Sequence, residues 1–298
     1  CSSDLNGRNP IITANTVMAN PDFIKIKKSN FENYDYEPFT KTLKRTQNGT
    51  QTLKTMKQGI DAGIYFPQFH GREHVNVKKW MNDLKNDTGS VRLWFENGSF
   101  GTSNLVDMNQ NCHYMTTWDS NSLDDLKFYE QSLLDGLKLF ETIFGFKSES
   151  IIAPTYHWPL ELENSFYENG IEYLQGVALQ KVPANNGMRI TNKRTNFQGT
   201  TSKSGLIYLN RNAFFEPSMN QNFDWETDCL QRIKIAFGAN KPATISTHRL
   251  NFIGSLDATN SHSNLQRFEN LLRMIIKKWP DVEFMNSVEL GRLIKKSN

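Results

Sequence analysis

Two histidines, His70 and His74, stand four residues apart in FPQFHGREHVNVKKW (residues 66–80), between an apolar run and an amphipathic one. Hydrolytic metal chemistry needs two neutral imidazole nitrogens converging on one divalent ion, a third ligand such as a carboxylate, and an open position for water. A His-x-x-x-His pair at a strand end has the right residue types for this. The same spacing also fits a surface loop with one histidine satisfied by backbone, and the pair alone leaves both readings open. Other positions carry groups of interest. His248 ends the run ISTH, where a lone histidine is either structural or catalytic. His157 lies between Tyr156 and Trp158 in APTYHWP, a cluster that suits a sugar-contacting wall and suits core packing equally. Asp119, after Trp118 in TTWDS, fits a helix start better than a site carboxylate. His113 and His262 carry no supporting pattern.

These side chains need a scaffold. The chain has 298 residues, 38% hydrophobic and 22% charged, enough to bury a full core, and it is read as one domain over residues 1–298. The net charge is +3, from 34 basic and 31 acidic residues scattered along the chain. No basic block is interleaved with aromatics, which argues against a nucleic-acid partner. No apolar run approaches the ~20 residues that span a bilayer. No signal peptide is visible, so cytoplasm and cell envelope both stay open. Cys1, Cys112 and Cys229 are a sparse, odd set without a CxxC pair and read as free thiols. Cys1, in CSSD, also fits the lipid-bearing first residue of a bacterial lipoprotein. The sequons at Asn48, Asn86 and Asn97 follow from a composition rich in Asn and Thr.

Along the chain, short apolar strands alternate with amphipathic helices. PIITANTV, IYFPQF, SIIAP, EYLQGVAL and ATISTH read as strands. Helices are expected over residues 36–46, over 52–63 with a stop at Gly63, and over 77–85 behind an Asn76 cap. The clearest helix runs over 122–145, and others cover 161–170, 225–238 and 264–279. A short helix closes the chain after VEFMNS. This alternation means a largely parallel sheet or barrel wrapped by helices, with its chemistry at the carboxyl ends of the strands. His70, residues 154–158, and His248 all fall there.

The order of these pieces resembles the NodB-type polysaccharide deacetylases, the family 4 carbohydrate esterases, over nearly the whole chain. The family's second motif, His-Ser/Thr-x-x-His, is matched by His70-Gly71-Arg72-Glu73-His74. The fifth, a hydrophobic-x-His strand end, is matched by ISTH at His248. The closing VEFMNSVELGRL looks like the final strand and helix. Ala153-Pro154-Thr155-Tyr156 corresponds to the third motif, with its arginine replaced and its tyrosine kept. Asp224-Trp225 is the only candidate for the fourth. The first motif, an Asp-Asp pair on the first strand, has no counterpart. PIITANTV looks like the second strand, which places the first upstream of Cys1.

The resemblance implies a deformed (β/α) barrel acting on acetylated carbohydrate. It implies a divalent ion, Zn²⁺ or else Co²⁺ or Ni²⁺, held by His70, His74 and a carboxylate. His248 would protonate the leaving group, and Tyr156 would donate to the oxyanion. His157, Trp158 and Arg72 would shape the sugar subsite. The missing Asp pair and arginine support a rival, a catalytically impaired homologue that binds glycan or protein. A third reading is an unrelated metal hydrolase on the same barrel.

Overall fold

Residues 3–101, 114–119, 122–183, 192–255 and 257–297 are described by the computed structural model. Cys1, Cys112 and His113 lie outside them. The chain opens with β1 (Ile12–Thr16), β2 (Ala19–Pro21), α1 (Phe23–Lys28), β3 (Tyr36–Pro38), α2 (Phe39–Lys44) and α3 (Gly49–Asp61). Next come β4 (Tyr65–Phe69), α4 (Val77–Lys85), α5 (Val91–Glu96), α6 (Leu123–Phe144), β5 (Ser150–Ile152) and α7 (Leu162–Glu168). The hairpin strands β7 (Leu179–Val182) and β8 (Asn192–Thr195) follow β6 (Tyr173–Gly176), and β9 (Ile207–Asn210) leads into β10 (Ala213–Phe214). The chain ends with α8 (Trp225–Gly238), β11 (Ile245–Ser246), α9 (Ala258–Lys278) and α10 (Ser287–Ser297).

Five strands form one parallel sheet in the order β1-β4-β5-β6-β9, and β10 pairs in parallel with β11. The fold is mixed α/β with a mostly parallel central sheet, as the alternation of elements predicts. Among the described residues no helix is long and apolar enough to cross a membrane. Local signals explain the boundaries. Asn76 accepts from the amide of Lys79 at 3.1 Å and starts α4, and Ser122 accepts from Asp125 at the start of α6. Gly145, at φ 80°, ends α6 in the left-handed region that glycine tolerates best.

Three expectations need correction. The helix over 36–46 begins as strand, because Tyr36–Pro38 pairs with β2 before α2 begins. EYLQGVAL divides into β6 and β7. VEFMNS forms no strand: the Phe284 amide donates to Asp4 Oδ2 and the Ser287 amide to Thr13 Oγ1, so these donors go to side chains rather than a ladder.

The largest buried cluster packs Phe69, Trp118, Trp158, Phe166 and Leu174 between the sheet and α6 and α7. Trp158 is 1% exposed, and its indole donates to Glu163 Oε1 at 3.1 Å. Trp158→Ala should therefore cost about 3–5 kcal/mol, the scale for a buried aromatic truncation. Denaturant unfolding measures it, and a loss under about 1 kcal/mol would contradict this core role.

Candidate functional site

The site begins where β4 ends. The amide of His70 donates to Thr16 O at 3.0 Å, carrying the β1–β4 pairing one residue past the strand. Gly71 follows at φ 94°, where a Cβ would stand 3.2 Å from the carbonyl oxygen of Glu73. Glycine thus lets the chain turn sharply and bring His74 back, with the two imidazole centroids 5.0 Å apart and their planes at 73°. His70 Nδ1 donates to Ile152 O at 2.8 Å, which makes Nε2 the bare nitrogen. Burial holds the His70 pKa down at about 3, helped by the nearby charges of His74, Arg211 and His248 and opposed by the bond to Ile152. His70 is therefore neutral at physiological pH, the form a metal ligand needs.

The pair fits a divalent ion on these grounds. Imidazole nitrogens about 2.0–2.1 Å from one tetrahedral ion place the ring centres about 5 Å apart, which matches the separation here. Among the described residues no third His, Cys, Asp or Glu completes a ligand cluster.

β5 leads into a tight turn at Pro154–Tyr156. Thr155 and Tyr156 take φ of 55° and 57°, a left-handed conformation that costs of order 1–3 kcal/mol for such residues and needs surrounding structure to hold it. The Tyr156 amide donates to Ala153 O at 3.0 Å, so the turn already uses it. The phenol accepts from Arg211 Nη1 at 3.3 Å and keeps its own proton to donate. Arg211, one residue past β9, also donates to Ser246 Oγ at 3.2 Å. These contacts tie the ends of β5, β9 and β11 together.

His248 lies two residues past β11. Its Nδ1 bonds Glu216 Oε1 at 2.7 Å, and its amide donates to Oε2 at 3.2 Å. Glu216 is buried and also accepts from Asn251 Nδ2 at 2.8 Å. The Glu216 hydrogen bond raises the His248 pKa, against burial and the charge of Arg211. The His248 side chain is 64% exposed, so its imidazole can meet a ligand from solvent. The sign follows directly. Because the folded pKa lies above the ordinary 6.5, the pair's stabilisation is complete below that value and is lost as pH rises through the folded pKa. An NMR titration should place His248 above 6.5, and Glu216→Gln should lower it. A wild-type value at or below 6.5 would dissolve this dyad.

The structure thus brings His70, His74, Tyr156 and His248 to one end of the sheet. Three other expected site residues lie elsewhere. Arg72 is 5% exposed, bonds Glu73 at 2.6 Å and Asp135 at 2.9 Å, and packs 4.2 Å from the Tyr36 ring centre. It is a buried ion-pair centre rather than a sugar contact. His157 is 3% exposed, with Nε2 3.7 Å from Asp119 Oδ1, and Trp158 is in the core. Burial leaves none of the three a face for a sugar ring. Asp224 caps α8 through the Thr227 amide. Asp119 starts no helix: its carbonyl accepts from Asn76 and Tyr129.

Arg211, Glu216 and Asn251 are site residues that the sequence reading missed. The apolar run LIYLN, bounded by Ser-Gly and Arg-Asn, was the available strand signal for β9, and hence for Arg211 at its end. Glu216 and Asn251 had no local signal, since each matters only through its contact with His248. No protein-family model and no curated protein matches the sequence. Fold and site together define a mixed α/β protein that gathers imidazoles, a phenol and a guanidinium at the carboxyl ends of its parallel strands.

Proposed function

We propose that this protein is a metal-dependent hydrolase that removes acetyl groups from carbohydrate, built on a NodB-type deformed (β/α) barrel. One arrangement carries the reading: two strand-end histidines near Arg211, His70 bonded to a backbone carbonyl and His248 to a buried carboxylate, with pKa values pushed in opposite directions. Environments that separate two titratable groups in this way assign them different roles. His70 stays neutral and suits a ligand, whereas His248 is biased toward its protonated form and suits an acid.

His70 and His74 would hold a divalent ion, Zn²⁺ by the preference of imidazole, with Co²⁺ and Ni²⁺ as substitutes. Bound there, the ion supplies Lewis-acid polarisation of the acetyl carbonyl and acidifies water. Ile152 O fixes the His70 tautomer so that Nε2 points away from the hydrogen-bonded side. The Tyr156 hydroxyl donates to the developing oxyanion, held in place by Arg211. His248 delivers a proton from Nε2 to the leaving nitrogen or oxygen, and Glu216 stabilises the imidazolium before transfer.

The mechanism further needs a carboxylate ligand and a general base, and no such group joins the pair among the described residues. That favours a second reading, a glycan- or protein-binding module with an impaired catalytic centre. Acetate release separates the two. Zn²⁺-loaded protein incubated with acetylated oligosaccharides should release acetate, with loss of release on chelation and recovery on adding metal back. Metal binding and glycan binding without acetate would support the module.

A further inference from the structure

From Tyr173 to Phe215 the chain carries six basic residues, Lys181, Arg189, Lys193, Arg194, Lys203 and Arg211, and no Asp or Glu. Their spacing is too wide to make a basic block in the sequence. Pairing of β7 with β8 gathers two of them, because Lys181 stands directly opposite Lys193. Like charges that face each other across a strand pair are destabilising. Arg194, on the inward side of the hairpin, lies 3.6 Å from Glu163, but among the described residues neither lysine has an acidic partner.

The hairpin has one buried and one open side. Gln180 and Asn196 are buried, and the Asn196 side chain donates to Gln180 Oε1 at 3.0 Å. Alternation therefore sends Leu179, Lys181, Lys193 and Thr195 outward, and all four are exposed. Phe197 continues this row past β8, with 66% of its surface open. Its backbone is nonetheless fixed. The Asn196 amide donates to Ala178 O, the Asn210 side chain donates to Asn196 O, and a β-bulge sets Gly199 and Thr200 against Tyr208 of β9. An aromatic ring held this way loses little entropy on meeting a ligand. The row adjoins the site. Lys181 forms a bridge pair with His157, next to Tyr156, and the Gln180 side chain donates to Trp158 O at 3.2 Å. Arg211 follows the Asn210 that clamps Asn196. Burial takes His157 and Trp158 out of any sugar wall, whereas Phe197 is an exposed aromatic beside the same strand ends.

We propose that the open face of the β7–β8 hairpin is a subsite for acidic sugar units, with Phe197 stacked on the C–H face of one ring and Lys181 and Lys193 paired with carboxylates of its neighbours. The proposal rests on the carbohydrate reading of the adjoining site and narrows its substrate class to an acetylated glycan that bears carboxylates. The row from Lys193 to Phe197 is about 13 Å long at the rise of a strand, so it fits an extended oligomer better than a single ring. A carboxylate beside the two lysines relieves their repulsion and makes charge-assisted hydrogen bonds. Single-stranded nucleic acid stacks successive bases on several aromatics, and the described part of this face has one.

The test is calorimetric titration of the full chain, with Zn²⁺ present and at low salt, using acetylated oligogalacturonate and the same oligomer with its carboxyls reduced to alcohols. The acidic oligomer should bind about tenfold or more tightly than the reduced one, and added salt should shrink the difference. A Lys181→Gln, Lys193→Gln double variant should lose that preference. Phe197→Ala should weaken binding of both oligomers by about threefold or more. Lys54→Gln, on α3, should bind as wild type does, and circular dichroism checks the fold of each variant. Equal affinity for the two oligomers would overturn the proposal, as would a preference that survives in the double variant. Oligothymidylate bound as tightly as the acidic oligomer would overturn it too, by making the face a general polyanion surface. Acetate release in the same samples separates this subsite from the hydrolase reading. Release from the reduced oligomer without any preference for the acidic one keeps the hydrolase and removes the subsite. Preference without release from either oligomer keeps the subsite and removes the hydrolase.

Discussion

His70→Asn will remove bound metal and acetate release together. Asparagine can still donate from its amide to Ile152 O, so the end of β4 keeps its tie to β5. What it lacks is the bare Nε2 that the half-buried, neutral imidazole presents. Loss of an outer-shell partner alone costs about 10–100-fold in metal affinity, so loss of one of two imidazole ligands should exceed about 100-fold. His74→Asn should behave alike, because its ring lies 5.0 Å from that of His70, the separation of two imidazoles on one ion. His262→Ala, on the exposed face of α9, should bind metal as wild type does. Equilibrium dialysis against Zn²⁺ with metal analysis reads all three variants, and circular dichroism checks the fold. Stoichiometric metal in a His70→Asn, His74→Asn double variant would take the ion away from this pair.

His248→Asn should do something different: keep the metal and the fold, and lose roughly 10²–10⁴-fold in acetate release, the range for a positioned acid. The amide of asparagine can preserve the bond to Glu216, but it cannot carry a proton to a leaving group. A second readout separates this from a packing defect. Wild-type activity should fall as pH rises through the raised pKa of His248, because the acid is then deprotonated. That alkaline limb should vanish in His248→Asn, and in Glu216→Gln it should move to lower pH, because removal of the carboxylate removes the main cause of the upward shift. Loss of metal in His248→Asn would make the residue a third ligand and end its role as the acid.

The two histidine roles also bear on acid stability. His70 is held near pKa 3 in the folded chain, so its neutral form contributes stability that is full above the ordinary 6.5 and is lost as pH falls from there toward 3. His248 has the opposite sign, full below 6.5 and lost above it, so the two histidines together contribute most near pH 6.5.

Much of the scaffold was legible in the residues. Helix α6 announces itself by apolar spacing, a Ser122 cap and a Gly145 stop, and β1, β4 and β5 by short apolar runs. These are local signals, with causes within a few residues of their effects. His70 and His248 stood out for the same reason: each follows a strand that could be read, and strand ends on one side of a parallel sheet share a face. EYLQGVAL was harder, since a mostly apolar run does not say where one strand stops and the next begins.

Tertiary structure alone decided which polar and aromatic groups reach the site. His157, Trp158 and Arg72 lie next to site residues in the chain, and adjacency made them candidates, but the turn at Thr155 and the packing of α6 and α7 send all three inward. Glu216 carries no distinguishing neighbourhood in the sequence, and Arg211 only its place after the apolar run LIYLN. Their importance comes from contacts with His248 across 32 residues and with Tyr156 across 55. The sequence by itself determined the order of the main strands and helices and which histidines end strands, because propensity, capping and hydrophobic period act over short range. Burial, pairing partners and proton affinity depend on which distant segments pack together, and only the folded chain settles those.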